Sequence, residues 1–152
     1  MKILFMNASP NKNGNTSRIG EELLHQVDHD TLYMRDYHIC QYGVVDETEE
    51  IKDIFKKIEN YDTLVIGAPV YWYTVGGILK TFIDRLYMLK ETEALQGKDL
   101  YFLAQGSSPD ESTIQTITHL ASRVATLMEM NLKGVVVDSS DGRKIISTFS
   151  IK

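Results

Sequence analysis

The polar stretch from Asn7 to Arg18 contains the residue types that bind a phosphate group. It follows an apolar run at residues 3–6 and precedes a segment with apolar side chains at helical spacing. The first amides of a helix have no partners within the helix and carry partial positive charge, so they attract anions. Hydroxyl and amide side chains add further donors, at Ser9, Asn15, Thr16 and Ser17. The stretch therefore predicts a loop that binds a phosphate monoester.

This stretch matches neither of the two common nucleotide-binding loops. It lacks the Gly-Lys-Ser/Thr ending of a P-loop and the G-x-G-x-x-G pattern of a dinucleotide-binding fold. An ordinary polar connection, with Thr16 or Ser17 as the N-cap of a helix, is the alternative interpretation. Other segments of the chain have to decide between the two.

Two of these segments follow apolar runs. Residues 67–73 end in three consecutive aromatic side chains, and flat rings beside a phosphate loop favour a planar aromatic ligand that carries phosphate. The alternative is that the rings pack on a neighbouring helix or on a partner subunit. Residues 104–109 offer small side chains and free amides, either for the edge of a heterocycle or for a plain turn before a helix.

The order of the elements predicts where these segments meet. Strand patterns occur at residues 2–6, 30–35, 63–66, 100–103 and 135–137, and helix patterns at 16–25, 47–60, 78–86 and 114–128. Continuous apolar strands that alternate with helices predict a parallel sheet covered on both faces. We expect an α/β, doubly wound, five-stranded sheet of order 2-1-3-4-5, in a single domain over residues 1–152. Ligands of such a sheet bind beyond the carboxyl ends of its strands, at the switch between strands 1 and 3. All three segments are predicted to lie there.

Charge and cysteine content argue against several classes of protein. The net charge of −5 without a basic cluster argues against a nucleic-acid partner. The longest apolar run, residues 64–73, contains Gly67 and Pro69 and is too short to span a membrane. A single cysteine cannot form an intrachain disulfide, and a strand that starts at Lys2 leaves no room for a signal peptide. We expect a cytoplasmic protein that makes no membrane contact.

Two signatures resemble those of a known family. Residues 7–17, Asn-Ala-Ser-Pro-Asn-Lys-Asn-Gly-Asn-Thr-Ser, are similar to the G-S-P-R-x-x-x-N-T type of phosphate loop found in the NAD(P)H-dependent FMN reductase family. Residues 68–85, from Ala-Pro-Val-Tyr-Trp-Tyr to Phe-Ile-Asp-Arg, resemble the second signature of that family. The resemblance extends to about residue 137 and implies a flavodoxin-like fold that binds FMN non-covalently, with NAD(P)H as the electron donor.

The resemblance also implies which residues bind the cofactor. The positions that would hold the phosphate are Ser9, Asn11, Asn15, Thr16 and Ser17. The positions that would border the isoalloxazine ring are Pro69, Val70, Tyr71 and Trp72 on one side, and Gln105, Gly106 and Ser107 on the other. Asn11 stands where the family often has arginine, and Lys12 or Arg18 would be the substitute cation.

The predicted function is that of an FMN-dependent oxidoreductase. It would pass a hydride from NAD(P)H through FMN to a quinone, a flavin, or a nitro- or azo-aromatic acceptor. This chemistry requires no protein side chain as a general acid or base, so we predict no catalytic residue.

Two alternatives stay open: an electron carrier of the flavodoxin type without turnover of its own, and a binding module that kept the fold but lost the flavin. NAD(P)H oxidation by the purified protein tests the first, and the colour of the protein tests the second.

The cysteine and the histidines outside the predicted cofactor site are residue types that can bind metals, but their positions in the sequence predict no metal site. Cys40 lies in the segment where some relatives carry cysteines for an iron–sulfur centre, but such clusters are normally held by four thiolates. His25 and His29 are expected on a solvated helix end, and His38 has no obvious partner nearby in the sequence. Arg85 is expected at the surface or at an interface.

The C-terminal tail predicts a homodimer. Asp141-Gly142 is a hairpin-type turn signal, and residues 144–149 have a strand-like rather than a helical pattern. A fifth helix that would cover the sheet beside the first helix is therefore expected to be absent, which would leave apolar surface for a second subunit. The alternative is that the tail adds a strand at the sheet edge within one subunit. The family resemblance also favours a dimer.

Overall fold

The computed structural model describes residues 1–151, which form one sheet with helices on both faces. The strands are β1 (Ile3–Asn7), β2 (His29–Tyr33), β3 (Thr63–Tyr71), β4 (Thr74–Val75), β5 (Asp99–Gly106) and β6 (Asn131–Ser139). The helices are α1 (Asn15–Leu24), α2 (Ile51–Ile58), α3 (Gly77–Arg85), α4 (Glu111–Leu127) and α5 (Arg143–Thr148). No helix of the described residues is both long enough and apolar enough to cross a bilayer.

The sheet has the predicted topology. Five parallel strands lie in the order β2-β1-β3-β5-β6, which is the expected order 2-1-3-4-5 once the short antiparallel strand β4 is set aside. Asn7 at the end of β1 is in register with Gly67 of β3, and Gly67 is in register with Leu103 of β5. The carboxyl ends of these three strands therefore lie side by side at one edge of the molecule.

The continuous apolar strands are buried because both faces of the sheet are covered. Alternate side chains of a strand point to opposite faces. Ile3 and Phe5 pack in the cluster that contains the apolar residues of α1 and α5, whereas Leu4 and Met6 pack in the larger cluster with α2, α3 and α4. This arrangement confirms the prediction of a doubly wound sheet.

The predicted C-terminal strand is wrong, because the tail forms the fifth helix. Gly142 adopts a left-handed conformation with φ of 70°, and the Asp138 carboxylate accepts hydrogen bonds from the amides of Lys144 and Ile145. Ile145 is fully buried in the cluster that α1 also contributes to. β-branched residues favour a strand locally, but docking on the sheet and the Asp138 cap favour a helix here. The apolar surface that was expected to need a second subunit is covered within the chain.

Several element boundaries also differ from the predictions. β3 extends through Tyr71 instead of ending at Ile66, so most of the predicted aromatic loop is strand. β2 ends at Tyr33 and continues as a 3-10 turn. α2 begins at Ile51 rather than at residue 47, which leaves residues 37–50 as a long irregular loop.

Arg85 is buried within the chain, contrary to the expectation of a surface or interface position. It is 7% exposed and forms an ion pair with Glu49, in which Nη2 lies 2.8 Å from Oε2. Its Nη1 also donates to the carbonyl oxygen of Cys40 at 2.9 Å. The hydrogen bond from Arg85 lowers the pKa of the Glu49 carboxyl. Arg85 therefore joins the irregular loop to α3.

Gly20 of α1 is expected to be essential for the packing of this helix on the sheet. A Cβ atom at this position would lie 2.3 Å from the ring of Phe5, which is 1% exposed and cannot move away freely. Gly20→Ala should lower the free energy of unfolding by about 1–2 kcal/mol, because overpacking outweighs a gain in helix propensity of about 1 kcal/mol. The control is Gly77→Ala at the start of α3, where a Cβ atom meets nothing within 4 Å. Urea denaturation of both variants tests the expectation, which fails if Gly20→Ala is as stable as the control.

Candidate cofactor-binding site

The loop between β1 and α1 is held in shape by Asn7 and Ser17. Both side chains are buried. The Asn7 Oδ1 atom accepts a hydrogen bond from the Ser9 amide at 2.9 Å, and its Nδ2 atom donates to the Ser17 hydroxyl at 2.8 Å. The Ser17 hydroxyl in turn donates to the carbonyl oxygen of Lys12. In this conformation the hydroxyl of Ser17 maintains the loop, and its backbone amide is the group that can face a ligand.

The start of α1 offers backbone amides to an anion. The amide of Arg18 bonds to the carbonyl oxygen of Gly14 at 3.1 Å. The amides of Asn15, Thr16 and Ser17 have no acceptor among the described residues, and no described side chain caps this helix. Three N–H groups with the positive end of the helix dipole behind them form an anion site.

A second helix begins at the same edge of the sheet but has a carboxylate cap. The Asp110 side chain accepts a hydrogen bond from the Thr113 amide at 2.8 Å at the start of α4. Hydrogen bonds from the side chain and backbone of Thr113 lower the pKa of the Asp110 carboxyl, so it is ionised near neutral pH. A negative charge already lies at α4, and a phosphate is therefore favoured at α1.

Two buried hydroxyl groups lie beside the free amides. The Ser9 hydroxyl accepts from the amide of Asn11 at 3.1 Å, and the Thr16 hydroxyl accepts from Gln105 Nε2 at 3.2 Å. Each hydroxyl can still donate its own hydrogen. The bond between Thr16 and Gln105 also ties the first segment to the third, as expected for strands that end side by side.

The cations near the loop are paired with protein groups. Arg18 Nη2 donates to the carbonyl oxygens of Ser140 and Asp141, both at 2.9 Å. Lys12 forms an ion pair with Asp36, and its Nζ lies 4.9 Å from the centre of the Tyr33 ring. The two predicted substitutes for the missing arginine thus have other partners, and neutral donors are the main groups that face a phosphate here.

A cavity of about 380 Å³ lies over this loop. Its walls contain nine of the twelve predicted site residues, namely Ser9, Asn11, Asn15, Pro69, Val70, Tyr71, Gln105, Gly106 and Ser107. Thr16 and Ser17 are buried behind the wall, at the start of α1. Gly14 and Ser140 also line the cavity and were not predicted. Ser140 was missed because the tail that positions it was assigned to a strand.

A second cavity, of about 640 Å³, continues the first one. The two share Val70, Tyr71, Gly106 and Ser107, and the second adds Trp72 and Tyr73. A Cβ atom on Gly106 would lie 2.9 Å from the Cβ of Val70, so a side chain there would intrude between the two cavities. An end with free backbone amides, followed by a wide slot beside aromatic rings, fits the shape and chemistry of FMN.

Trp72 and Tyr73 form a strained two-residue turn between β3 and β4. Their φ angles are 48° and 63°, in the left-handed region that non-glycine residues rarely adopt. Positive φ at both central positions is typical of a type I′ hairpin, for which Asn-Gly is the usual sequence. Trp72 is 91% exposed and Tyr73 is 67% exposed. The sequence lacked the usual turn signal, so the hairpin was not predicted.

Curated proteins related to this chain include flavoproteins. An iron–sulfur flavoprotein of Archaeoglobus fulgidus is 32% identical over 103 residues, which cover 59% of this chain and 51% of that protein. The Bacillus subtilis protein named "Putative NAD(P)H-dependent FMN-containing oxidoreductase YwqN" is 24% identical over 152 residues, covering 90% of this chain and 84% of that protein. The chain thus spans about half the length of the first relative and most of the second.

Solved structures with the same architecture confirm the flavodoxin-like fold. The Trp repressor binding protein from Bacillus subtilis superposes with a TM-score of 0.74 at 22% identity, over 90% of this chain and 83% of that one. The apo form of an NADH:FMN oxidoreductase superposes with a TM-score of 0.71 at 22% identity, over 91% of this chain and 75% of that one.

The family assignment extends over most of the chain. The model of the NADPH-dependent FMN reductase family matches residues 1–139, which include both signatures and the three strand ends of the site. This match confirms the resemblance noted in the sequence, together with FMN and NAD(P)H as the expected cofactors. The chain belongs to the NADPH-dependent FMN reductase family.

Proposed function

We propose that this protein is an FMN-dependent oxidoreductase that uses NAD(P)H to reduce a quinone, a flavin, or a nitro- or azo-aromatic compound. One observation carries the proposal. Two contiguous cavities lead from the three free amides of α1 to an aromatic wall at the end of β3. When bound there, FMN would supply the hydride chemistry, and the protein would supply position and electrostatics.

The residues at the phosphate end bind without a full positive charge. We propose that the backbone amides at the start of α1, those of Asn15, Thr16 and Ser17, hold the phosphate, with the Ser9 hydroxyl and the Asn11 side chain around it. Hydrogen bonds to a charged group contribute about 1.5–3 kcal/mol each. Several such bonds support retention of FMN although Asn11 replaces the usual arginine.

The residues at the ring end leave one side of the slot open. Pro69, Val70 and Gly106 border the first cavity, and the second cavity beyond them is wide enough for a further planar group. We propose that nicotinamide and acceptor occupy this space in turn, against Tyr71 and Trp72. We propose no general acid or base among the side chains.

Purification and assay of the full chain test this function. We expect a yellow protein that releases FMN, not FAD, because the loop at α1 is suited to a terminal phosphate. Steady oxidation of NADH or NADPH with a quinone is expected, and mass spectrometry identifies the released cofactor. FMN retention without NAD(P)H oxidation would instead support the electron carrier, and a colourless protein that cannot bind added FMN would support the binding module.

Trp72 provides a direct measure of flavin proximity. It is the only tryptophan of the chain and it lines the aromatic cavity. We expect FMN added to the apoprotein to quench tryptophan emission strongly, by energy transfer and contact with the ring. Emission that stays unchanged while binding is demonstrated by calorimetry would move Trp72 out of the flavin site.

We also propose a homodimer and a cytoplasmic location. The tail no longer supports the dimer, but aromatic side chains on the exposed surface do. Trp72 and Tyr73 are adjacent, 91% and 67% exposed, and form an apolar patch at the hairpin that a second subunit would cover. The family resemblance also favours a dimer. Sedimentation of the holoprotein at micromolar concentration tests the dimer, and a single species of 17.3 kDa would contradict it.

A further inference from the structure

We propose that His38, Cys40 and Asp46 bind one Zn²⁺ ion, with water as the fourth ligand. These residues belong to the irregular loop of residues 37–50 and not to the cofactor cavities. One ligand atom from each residue lies within 4.8 Å of the other two. A nitrogen, a sulfur and a carboxylate oxygen form a donor set that suits zinc.

The distances between the ligand atoms agree with tetrahedral coordination. His38 Nε2 lies 3.5 Å from Cys40 Sγ and 3.0 Å from Asp46 Oδ2. Zinc bonds of about 2.0 Å to nitrogen or oxygen and about 2.3 Å to sulfur separate such atoms by about 3.3–3.5 Å. Both separations from His38 are within about 0.3 Å of these values. The third separation, between Cys40 Sγ and the Asp46 carboxylate, is at most 4.8 Å, and a rotation of the exposed Asp46 side chain would close it around an ion.

Hydrogen bonding among these residues does not explain the cluster equally well. An imidazole Nε2 atom carries at most one hydrogen, so His38 can donate to Asp46 or to Cys40 but not well to both. A cation at the centre would satisfy all three atoms together. With a thiolate, a carboxylate and a neutral imidazole, the site would have no net charge when Zn²⁺ is bound.

Surrounding residues already orient the ligands. Cys40 is fixed at both backbone groups, since its amide donates to Glu49 at 2.9 Å and its carbonyl oxygen accepts from Arg85. The Asp46 Oδ1 atom accepts from the amide and hydroxyl of Thr48, which turns Oδ2 toward His38. Such outer partners typically change metal affinity by about 10–100-fold when they are removed.

The three ligands differ in their exposure to solvent, and this difference would let an ion enter the site. Cys40 is 7% exposed, whereas the side chains of His38 and Asp46 are 50% and 38% exposed. An ion could thus enter from solvent and bind a buried thiolate. Irregular loops of this length are uncommon and are usually either functional or disordered, and a metal bound between residues 38 and 46 would give this ordered loop a function.

Metal content of the full-length protein tests the site. After dialysis against Zn²⁺ and removal of free metal, we expect one ion per chain by atomic spectrometry. His38→Gln and Asp46→Asn should each weaken binding by more than about 100-fold, because each removes an inner ligand rather than an outer partner. Asp46→Asn keeps an oxygen that can accept from Thr48, so the turn is expected to persist. The matched control His25→Gln, at the exposed end of α1, should still bind one ion.

Cobalt provides a second measurement that identifies the sulfur ligand. Co²⁺ bound to the wild-type protein should show thiolate-to-metal charge transfer and tetrahedral bands at longer wavelengths than flavin absorption. Cys40→Ser should lose the charge transfer, with folding checked by circular dichroism. Failure of the wild-type protein to retain Zn²⁺ would overturn the proposal. Retention of one ion by both His38→Gln and Asp46→Asn would also overturn it. Neither result depends on FMN binding or on activity.

Discussion

Replacing Asn15 with aspartate is expected to weaken FMN binding by about 30-fold or more. Asn15 is exposed, lines the first cavity and supplies one of the free amides at the start of α1. Two unit charges at 4 Å interact with about 4 kcal/mol at an effective dielectric constant of 20, and solvent exposure reduces this to about 2 kcal/mol. A tenfold change in affinity corresponds to about 1.4 kcal/mol.

The same substitution should leave the fold intact or stabilise it slightly, because an acidic residue in the first turn complements the helix dipole. Loss of affinity without loss of stability separates repulsion of a ligand from damage to the helix. Urea denaturation of the apoprotein measures the stability, and fluorescence titration measures FMN affinity.

Two controls make the result specific to the phosphate. Riboflavin has the same ring but no phosphate, so Asn15→Asp should leave its affinity unchanged. Gln26→Glu adds the same charge just beyond the other end of α1, about 16 Å away at 1.5 Å per residue, and should not affect FMN at physiological salt. If FMN and riboflavin are weakened equally, or if neither is weakened, the start of α1 is not the phosphate site.

Converting the hairpin turn to the sequence preferred for its geometry should stabilise the protein and impair its site. In the wild type, the left-handed backbone conformation at Trp72 and at Tyr73 lowers the free energy of unfolding by about 1–2 kcal/mol each. The double variant Trp72→Asn/Tyr73→Gly places residues there that tolerate this conformation. We expect the free energy of unfolding of the apoprotein to rise by about 2 kcal/mol. Loss of the aromatic wall should lower FMN affinity by about tenfold, since aromatic contacts contribute about 0.5–1.5 kcal/mol beyond the area that they bury.

The single variants separate the two effects. Tyr73→Gly should provide most of the stabilisation because glycine adopts a positive φ without strain, and it keeps Trp72 beside the cavity. Trp72→Asn should account for most of the lost FMN affinity. A double variant that is less stable than the wild type would show that the aromatic rings contribute more through packing than the turn loses through strain.

Local patterns in the sequence were sufficient for most of the sheet and for the position of the candidate site at its strand ends, whereas the individual site residues were taken from the family resemblance. The apolar runs at β1, β3, β5 and β6 indicate burial on both faces, and that condition leaves a doubly wound parallel sheet as the economical solution. The topology then brings three separate segments to one edge. Nine of the twelve predicted residues line one cavity for this reason.

Packing between distant residues decided the features that the sequence did not predict. The tail has β-branched residues that favour a strand, but Ile145 gains a buried place beside α1 and Asp138 caps the helix, so α5 forms. The turn at Trp72 and Tyr73 has no favourable local sequence and depends on the pairing of β3 with β4. In both places tertiary contacts outweigh local preference.

In the loop of residues 37–50, local sequence patterns also failed to predict which polar side chains contact each other. Sequence position alone gave His38 no partner and put Arg85 at the surface or at an interface. Neither the closure of this loop nor its docking on α3 follows a periodic pattern that could have shown otherwise. In the folded chain Arg85 is buried against Glu49 and the carbonyl oxygen of Cys40. In the loop anchored in this way, His38 Nε2 lies 3.0 Å from Asp46 Oδ2 and 3.5 Å from Cys40 Sγ. Apolar periodicity determines which elements pack together, whereas polar clusters depend on how irregular segments close, which only the tertiary structure specifies.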